Sequence, residues 1–341
     1  MYDTGLFVFY AAPLWKRTLH LLTGLGRSAL AAGRAWSVSL HAYRHASTAY
    51  RLRQHLRWPL LAAAQPLLTL GWFRRLQSPR LRAIVRRQPH LSLKPLRPYL
   101  SITWNRAQRM RVIGDSLELA LQRGGPLLAA LCEPYPQVLA RIEVGAGQCA
   151  WLCLEHDYRF RKEGEFVLAL RWGEERQPIM RMALAFQRCG GELHCYIGSM
   201  QGLAGAGEAV RAATRALAGL RPRSLLLMAA QTVASALGAT RLLGIGDDAH
   251  VHWRRWLLRV GRPRLRLDYD ALWQEHNGCR LDDGWFELPL HTARRTPADI
   301  PARKRAEYRR RYALCDQLQA TLREQFAAPV LQGPSKAVAL S

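Results

Sequence analysis

The sequence predicts a mixed α+β protein: a basic, mainly helical N-terminal region, then a largely antiparallel sheet with helices, then a basic C-terminal helix. Apolar residues follow a helical period in the first third of the chain, short β-rich segments fill the middle, and the helical period returns after them. The chain has 341 residues, 49% of them hydrophobic and 22% charged, which is globular composition and enough length for one or two domains.

Residues 1–130 are predicted to form the basic helical region. From Met1 to Leu100 there are sixteen Lys or Arg and one acid, Asp3, which is an excess of fifteen positive charges in a chain whose net charge is +25. Arginines lie among Leu and Trp, a composition typical of helices at a membrane interface, although helices that pack on a protein core share this amphipathicity. We expect an anionic membrane surface or a lipopolysaccharide precursor as partner, with solubility as the alternative role of the charge.

Residues 131–295 are predicted to form the mixed α/β core. Polar or glycine connectors separate the β-rich segments, which predicts an antiparallel meander. The weak alternation of Phe166–Trp172 predicts a strand covered on both faces. Helices are expected over 208–220 and 224–237, ended by Gly219 and Gly238. The predicted strands are Val138–Val144, Cys149–Glu155, Glu165–Trp172, Ile179–Gln187, Glu192–Ser199 and, after the helices, Leu242–Ile245.

Residues 296–328 are predicted to form a basic helix, and residues 329–341 a disordered tail. Six of the ten residues from Arg303 to Tyr312 are basic, and such runs bind nucleic acid or anionic lipid. A nucleic-acid-binding regulator is therefore one alternative. It is not favoured, because no aromatic platform or reading helix accompanies the run.

The sequence also predicts where the protein works. No apolar segment is long enough to span a bilayer, and at the N-terminus the apolar stretch precedes the first positive charge, the reverse of a secretory signal. The seven cysteines contain no C-x-x-C pair and are interpreted as buried thiols of a reducing compartment. We expect a cytoplasmic protein that contacts the inner membrane peripherally.

Glycines cluster over residues 198–207, a segment that includes Gln201 and Gly202 and lies between a predicted strand and a predicted helix. Acyl-CoA-dependent N-acetyltransferases hold pyrophosphate at such a place with backbone N–H groups, although here Ala204 stands where their motif has glycine. Arg221 and Arg223, at the next helix start, are a second phosphate-binding candidate. We predict these two arginines with Gln201 and Gly202 as cofactor-binding residues and acyl-CoA as the candidate cofactor. The alternative is that the glycines make tight turns.

The predicted catalytic residues are His250, Tyr269 and Glu275. His250 follows the Leu242–Ile245 strand, and an aromatic-rich segment from Tyr269 to Glu275 comes next, an order that resembles the acetyltransferase one. The imidazole of His250 or the carboxylate of Glu275 would take a proton from an attacking amine or hydroxyl. Core packing is the alternative for the aromatic residues, and a strand-end pair is the alternative for His250 with His252. Because no third ligand has useful spacing, no metal site is predicted.

Glu163 and Glu165 flank a glycine at the start of a predicted strand, beside Arg161 and Lys162. Two carboxylates can perform acid–base chemistry. At a strand end with neighbouring basic residues, solvated charges or a structural ion pair are the favoured interpretation.

Seven stretches give the chain a resemblance to the VirK/YbjX family, with order and spacing kept over residues 45–326. One departure is Ser116-Leu117, where the family tends to have His-Tyr. The stretches are Arg97-Pro98-Tyr99-Leu100, Glu163-Gly164-Glu165, Ile197-Gly198-Ser199-Met200-Gln201-Gly202, residues 214–222, His250-Val251-His252, residues 269–275 and residues 300–312.

The resemblance implies an accessory protein of Gram-negative bacteria for envelope integrity, virulence and resistance to cationic antimicrobial peptides, with links to lipid A. It implies no reaction, cofactor or catalytic residue. The alternative function is an acyl-CoA-dependent N-acyltransferase-like enzyme that acts on an envelope or lipid A precursor.

Overall fold

The computed structural model describes residues 14–144, 148–252 and 268–327, so the predicted tail at 329–341 lies outside the described residues. Contacts divide the described chain into two compact units. Unit 1 comprises residues 14–78 and 88–97, and unit 2 comprises residues 79–87 and 98–327.

Unit 1 is helical. Its elements are α1 (Leu14–Ala42), α2 (Thr48–Ala63), α3 (Pro66–Leu76) and a 3₁₀ segment (Pro89–Leu96). The helices α1 and α2 form an antiparallel hairpin, in which Ser39 Oγ lies 2.8 Å from His55 Nδ1 and Ser28 donates to the Ala63 carbonyl. Among the described residues, no helix combines the length and hydropathy that crossing a bilayer requires.

Unit 2 contains a sheet and its flanking helices. The helices are α4 (Pro79–Arg87), α5 (Arg106–Arg123), α6 (Gly125–Cys132), α7 (Gly207–Ala216), α8 (Pro222–Ala236), α9 (Tyr269–Glu275) and α10 (Arg305–Phe326). The strands are β1 (Gln137–Glu143), β2 (Cys149–Glu155), β3 (Phe166–Trp172), β4 (Gln177–Cys189), β5 (Glu192–Gly202), β6 (Ala239–Ile245), β7 (Cys279–Arg280) and β8 (Trp285–Leu288).

The eight strands form one open sheet in the order β1-β2-β3-β4-β5-β6-β8-β7. The first five strands are an antiparallel meander, β6 is parallel to β5, and β8 is antiparallel to β6. The predicted α+β fold with a largely antiparallel sheet is confirmed. The parallel pair follows from α7 and α8, which carry the chain back across the sheet before β6 begins.

Local sequence accounts for the helices next to the sheet. Asn105 caps α5 in a reciprocal pair of hydrogen bonds. Its side-chain oxygen accepts from the backbone N–H of Gln108, and the side-chain oxygen of Gln108 accepts from the backbone N–H of Asn105. Ser116, one residue of the departure from the family pattern, is buried in α5. Its hydroxyl bonds both backbone polar groups of Phe186 in β4. The strand β3 is buried on both faces over Phe166–Leu170, as its weak alternation predicts.

Two irregularities of β5 create the site. On the β4 side, Ala183 pairs with Ser199 and Leu184 with Ile197, so Gly198 is the extra residue of a β-bulge. On the β6 side, parallel pairing runs only from Leu193 to Ile197, although β5 continues to Gly202. Beyond Ile197, therefore, β5 has no partner in β6, and the chain that follows β6 comes to lie beside it.

Candidate functional site

A buried carboxylate lies at the centre of the candidate site. Glu163, just before β3, is 2% exposed. Its carboxylate accepts a hydrogen bond from the Ser199 hydroxyl at 2.9 Å and from the Gln201 side-chain amide at 3.1 Å, both residues of β5. His252 supplies a third partner at 2.6 Å. Glu163 is thus held by hydrogen bonds in the interior and is not a solvated charge at a strand end.

Glycines let the backbone of Glu163 reach this position. A Cβ on Gly198 would lie 1.9 Å from the Glu163 carbonyl oxygen and 2.3 Å from a Leu100 methyl. A Cβ on Gly164 would lie 2.6 Å from the Leu184 carbonyl oxygen. Only residues without a side chain allow these segments to cross so closely, which is the role of the glycine in the bulge.

The imidazole of His252 connects the buried carboxylate with the surface. Its Nε2 is 2.6 Å from Glu163 Oε1, and its side chain is 31% exposed. In the neutral ring, this contact places the proton on Nε2, which donates a hydrogen bond to the carboxylate. Nδ1 is then the nitrogen that can accept a hydrogen bond or a proton. An accessible imidazole oriented by a buried carboxylate is an arrangement that accepts and returns a proton.

His250 lies deeper and has a different environment. Its ring is fully buried, stacks on Tyr269 at a centroid distance of 5.2 Å, and accepts the His252 backbone amide at Nδ1. Among the described residues, Nε2 has no hydrogen-bond partner. Burial lowers the pKa of His250 to about 4 against the opposing attraction of the Glu163 carboxylate, so the ring is neutral at physiological pH.

Tyr269 fixes α9 against the bulged strand. Its hydroxyl donates to the Met200 carbonyl at 3.2 Å and accepts the Met200 amide at 3.1 Å. These bonds use the two backbone groups that β6 leaves unpaired at this point, as burial requires. Burial raises the pKa of Tyr269 above its usual range, so the phenol stays protonated.

Local chemistry positions α9 and the turn after β6. The Asp268 side chain caps α9 by accepting the Ala271 amide at 2.8 Å. The Asp247 carboxylate accepts the Tyr269 amide at 3.1 Å, and the Asp247 carbonyl closes the turn by accepting the His250 amide. Asp247 therefore makes the turn that leads into His250.

A second buried carboxylate lies beside the first. Glu165 is fully buried, and its charge acts on the buried hydroxyl of Tyr99. Burial and the charge of Glu165 raise the pKa of Tyr99 well above its usual value. The segment that contains Tyr99 is in turn anchored to the site, because Leu100 donates to the Lys162 carbonyl and Ser101 pairs with His250.

The remaining predicted site residues form a separate ion-pair group. Glu275, at the end of α9, accepts Arg221 at 3.2 Å and Arg223 at 2.6 Å. Two guanidinium groups share one carboxylate, so the group retains positive charge. Within the described chain, no hydrogen bond or ion pair joins these three residues to His252 or Glu163.

The structure thus brings four of the seven predicted residues together. Gln201, Gly202, His250 and Tyr269 lie along the unpaired half of β5, whereas Arg221, Arg223 and Glu275 pair with one another. Their catalytic and cofactor-binding roles stay predictions. Sequence reasoning did not select His252 and Glu163 as site residues, although both belong to stretches that carry the family resemblance. That resemblance, together with the H-x-H spacing, was the signal available for them.

Fold and site define a class: a mixed α+β protein in which a buried carboxylate contacts a partly exposed imidazole where the parallel strands β5 and β6 stop pairing. The chain belongs to the family described as "Protein of unknown function (DUF535)", whose model matches residues 47–324.

Similar proteins carry no assigned activity in their names. The "Uncharacterized protein YbjX" of Escherichia coli (strain K12) is 27% identical over 271 residues, which cover 78% of this chain and 82% of the relative. An "Uncharacterized protein" of Haemophilus influenzae is 34% identical over 222 residues, 64% of this chain and 71% of that one. No solved structure matches.

Proposed function

We propose that the protein is an acyltransferase-like enzyme, in which His252, oriented by Glu163, transfers protons during attack on an acyl thioester such as acyl-CoA. The observation that carries the proposal is the place of this pair. It lies where β5 and β6 stop pairing, and open α/β sheets bind ligands beyond the carboxyl ends of neighbouring parallel strands. A buried, fully hydrogen-bonded carboxylate that orients a partly exposed imidazole supports proton transfer better than the buried His250 does.

The chemistry follows from the contact between Nε2 of His252 and Glu163, which leaves Nδ1 to act as the base. Nδ1 takes the proton from an amine or hydroxyl acceptor as the acceptor heteroatom bonds to the thioester carbonyl carbon. The C–S bond then breaks, and the imidazolium returns the proton to the departing thiolate, so that the products are the acylated acceptor and the free thiol. The carboxylate of Glu163 stabilises the imidazolium in between.

Calorimetry with acetyl-CoA and a long-chain acyl-CoA tests the donor. We expect binding by the wild type, and absence of heat with both thioesters would overturn the proposal. The second measurement is release of free thiol in the presence of an aminosugar phosphate as acceptor. His252→Ala should keep donor binding and lose thiol release, whereas His291→Ala, a change at an exposed histidine of unit 2, should behave as wild type.

The acceptor in this proposal is a component of the bacterial envelope, and the acyl transfer takes place at the cytoplasmic face of the inner membrane. The family resemblance and the net charge of +25, which attracts phosphorylated precursors, support this part. Deletion in the parent bacterium should increase killing by a cationic peptide such as polymyxin. Complementation by His252→Ala would mean a non-enzymatic accessory role, and failure to complement supports the enzyme.

A further inference from the structure

Unit 1 exposes a stripe of leucines on α2. Leu52, Leu56 and Leu60 recur every fourth residue and are 59%, 57% and 73% exposed. The buried residues of the same helix are Gln54 and Trp58 with Ala62, on the opposite side. At 100° per residue, the leucines point directly away from the packed face of α2. We call these three residues the leucine stripe.

The stripe has basic neighbours and no acidic ones. Arg53 and Arg57 are exposed and project to one side of it. The sequence has no Asp or Glu between Asp3 and Asp115, so the helices of unit 1 contain no carboxylate that could neutralise these arginines. Other helices of the unit also expose leucines, among them Leu30 and Leu40 in α1 and Leu67 in α3.

We infer that the leucine stripe and its arginines bind the surface of an anionic lipid bilayer. The stripe would enter the boundary between head groups and acyl chains while the arginines contact lipid phosphates, which is how an amphipathic helix lies in an interface. This inference is independent of the proposed acyl transfer, because it concerns residues of unit 1 alone.

Charge argues against the other occupants of such a surface. A second copy of the chain would bring the same arginines against themselves, with no acid nearby to pair with them. Nucleic acid would use the arginines but would gain nothing from three exposed leucines, since its backbone is recognised by charge. An anionic bilayer uses both features at once.

Co-sedimentation of the full chain with large vesicles at moderate salt tests the inference. Vesicles of phosphatidylglycerol and phosphatidylcholine should retain the protein, and vesicles of phosphatidylcholine alone should retain at least tenfold less. Equal retention by both would overturn the inference. The inference would also be overturned if a variant of the leucine stripe were retained by the vesicles as well as the wild type.

The decisive variant combines Leu52→Ser, Leu56→Ser and Leu60→Ser, which removes apolar surface without touching the packed face. We expect a loss of at least tenfold in vesicle binding. The matched control is Tyr135→Ser with Val138→Ser, two exposed residues of unit 2, which should bind as wild type. Circular dichroism should be the same for all of these proteins. If the leucine variant instead turns a dimer into a monomer in light scattering and binds vesicles normally, a second copy is the occupant and the inference is wrong.

Local charge can be separated from total charge. Arg53→Glu should lower binding to phosphatidylglycerol vesicles about fivefold. Arg309→Glu, at an exposed position of α10, changes the net charge equally and should have a smaller effect. Equal losses in the two variants would mean a general attraction of the basic chain and would overturn the assignment to α2.

Discussion

The Nε2 atom of His252 lies 2.6 Å from Oε1 of Glu163, although one side chain is 31% exposed and the other only 2%. The contact joins the turn after β6 to the segment before β3, 89 residues apart in the chain. Ser199 and Gln201 of β5 hold the same carboxylate from the strand side. A single carboxylate therefore ties three separate segments of unit 2 together.

Removal of that carboxylate should destabilise the protein. Glu163→Ala leaves the buried Ser199 hydroxyl, the Gln201 amide and the His252 ring without their acceptor, so we expect the free energy of unfolding to fall by about 3 kcal/mol. Urea denaturation measures the change. Glu163→Gln keeps one acceptor oxygen and should cost less. Glu174→Ala, at an exposed turn, should stay within about 0.5 kcal/mol of wild type, and an equal loss in both alanine variants would contradict the prediction.

The buried imidazole of His250 should make stability depend on pH. Its pKa is about 4 in the folded protein against 6.5 for a free histidine, so between these values the unfolded chain binds more protons. The stability present above pH 6.5 is then lost as the pH falls towards 4, to a total of about 3 kcal/mol. Urea midpoints at pH 7.5, 6.0 and 4.5 test this. The difference between wild type and His250→Gln isolates the histidine, and parallel pH profiles would count against it.

The bulge should be intolerant of any side chain. In Gly198→Ala the new methyl would meet the Glu163 carbonyl oxygen, and we expect a loss on the order of 3 kcal/mol in thermal or urea unfolding. Gly202→Ala, in the same strand, is the control, because its nearest neighbour would be 3.7 Å away. That variant should unfold within about 0.5 kcal/mol of wild type. Comparable stability of the two variants would show that the close crossing is not needed.

The Glu275 ion pairs should limit anion binding at Arg221 and Arg223. Glu275→Gln frees both guanidinium groups, so the affinity for coenzyme A should rise about fivefold if these arginines hold its phosphates. Stability should change by less than about 1 kcal/mol, since the pairs are largely exposed. Glu287→Gln, which frees Arg241 elsewhere, is the matched control. Unchanged or weaker calorimetric binding by Glu275→Gln would remove these arginines from the cofactor site.

The order of elements could be predicted from the sequence. Short β-rich segments with glycine connectors indicated the meander, and helical spacing indicated α7 and α8, because these patterns reflect local backbone preference and one-sided burial. The residues Gln201, His250 and Tyr269 could be selected because they follow predicted strands in a recognisable order. These signals are local, so they can be recognised without knowing which segments pack against these residues.

The centre of the site could not be predicted in the same way. Glu163 stands beside Arg161 and Lys162 in the chain, so its surroundings in sequence indicated a solvated strand end. Its burial depends on the extra residue at Gly198, which allows the Glu163 backbone to cross β5. It also depends on His252, which belongs to the turn after β6. The ion pairs of Glu275 likewise join residues more than fifty positions apart.

The sequence by itself therefore determined the α+β class, the strand order of the meander, the basic N-terminal third and the family. Only the tertiary structure decided which polar groups are buried together and which imidazole faces solvent. The physical reason is that hydrophobic periodicity is a property of residues close together in the sequence. The environment of a charged side chain depends instead on which distant segments of the chain exclude water from it.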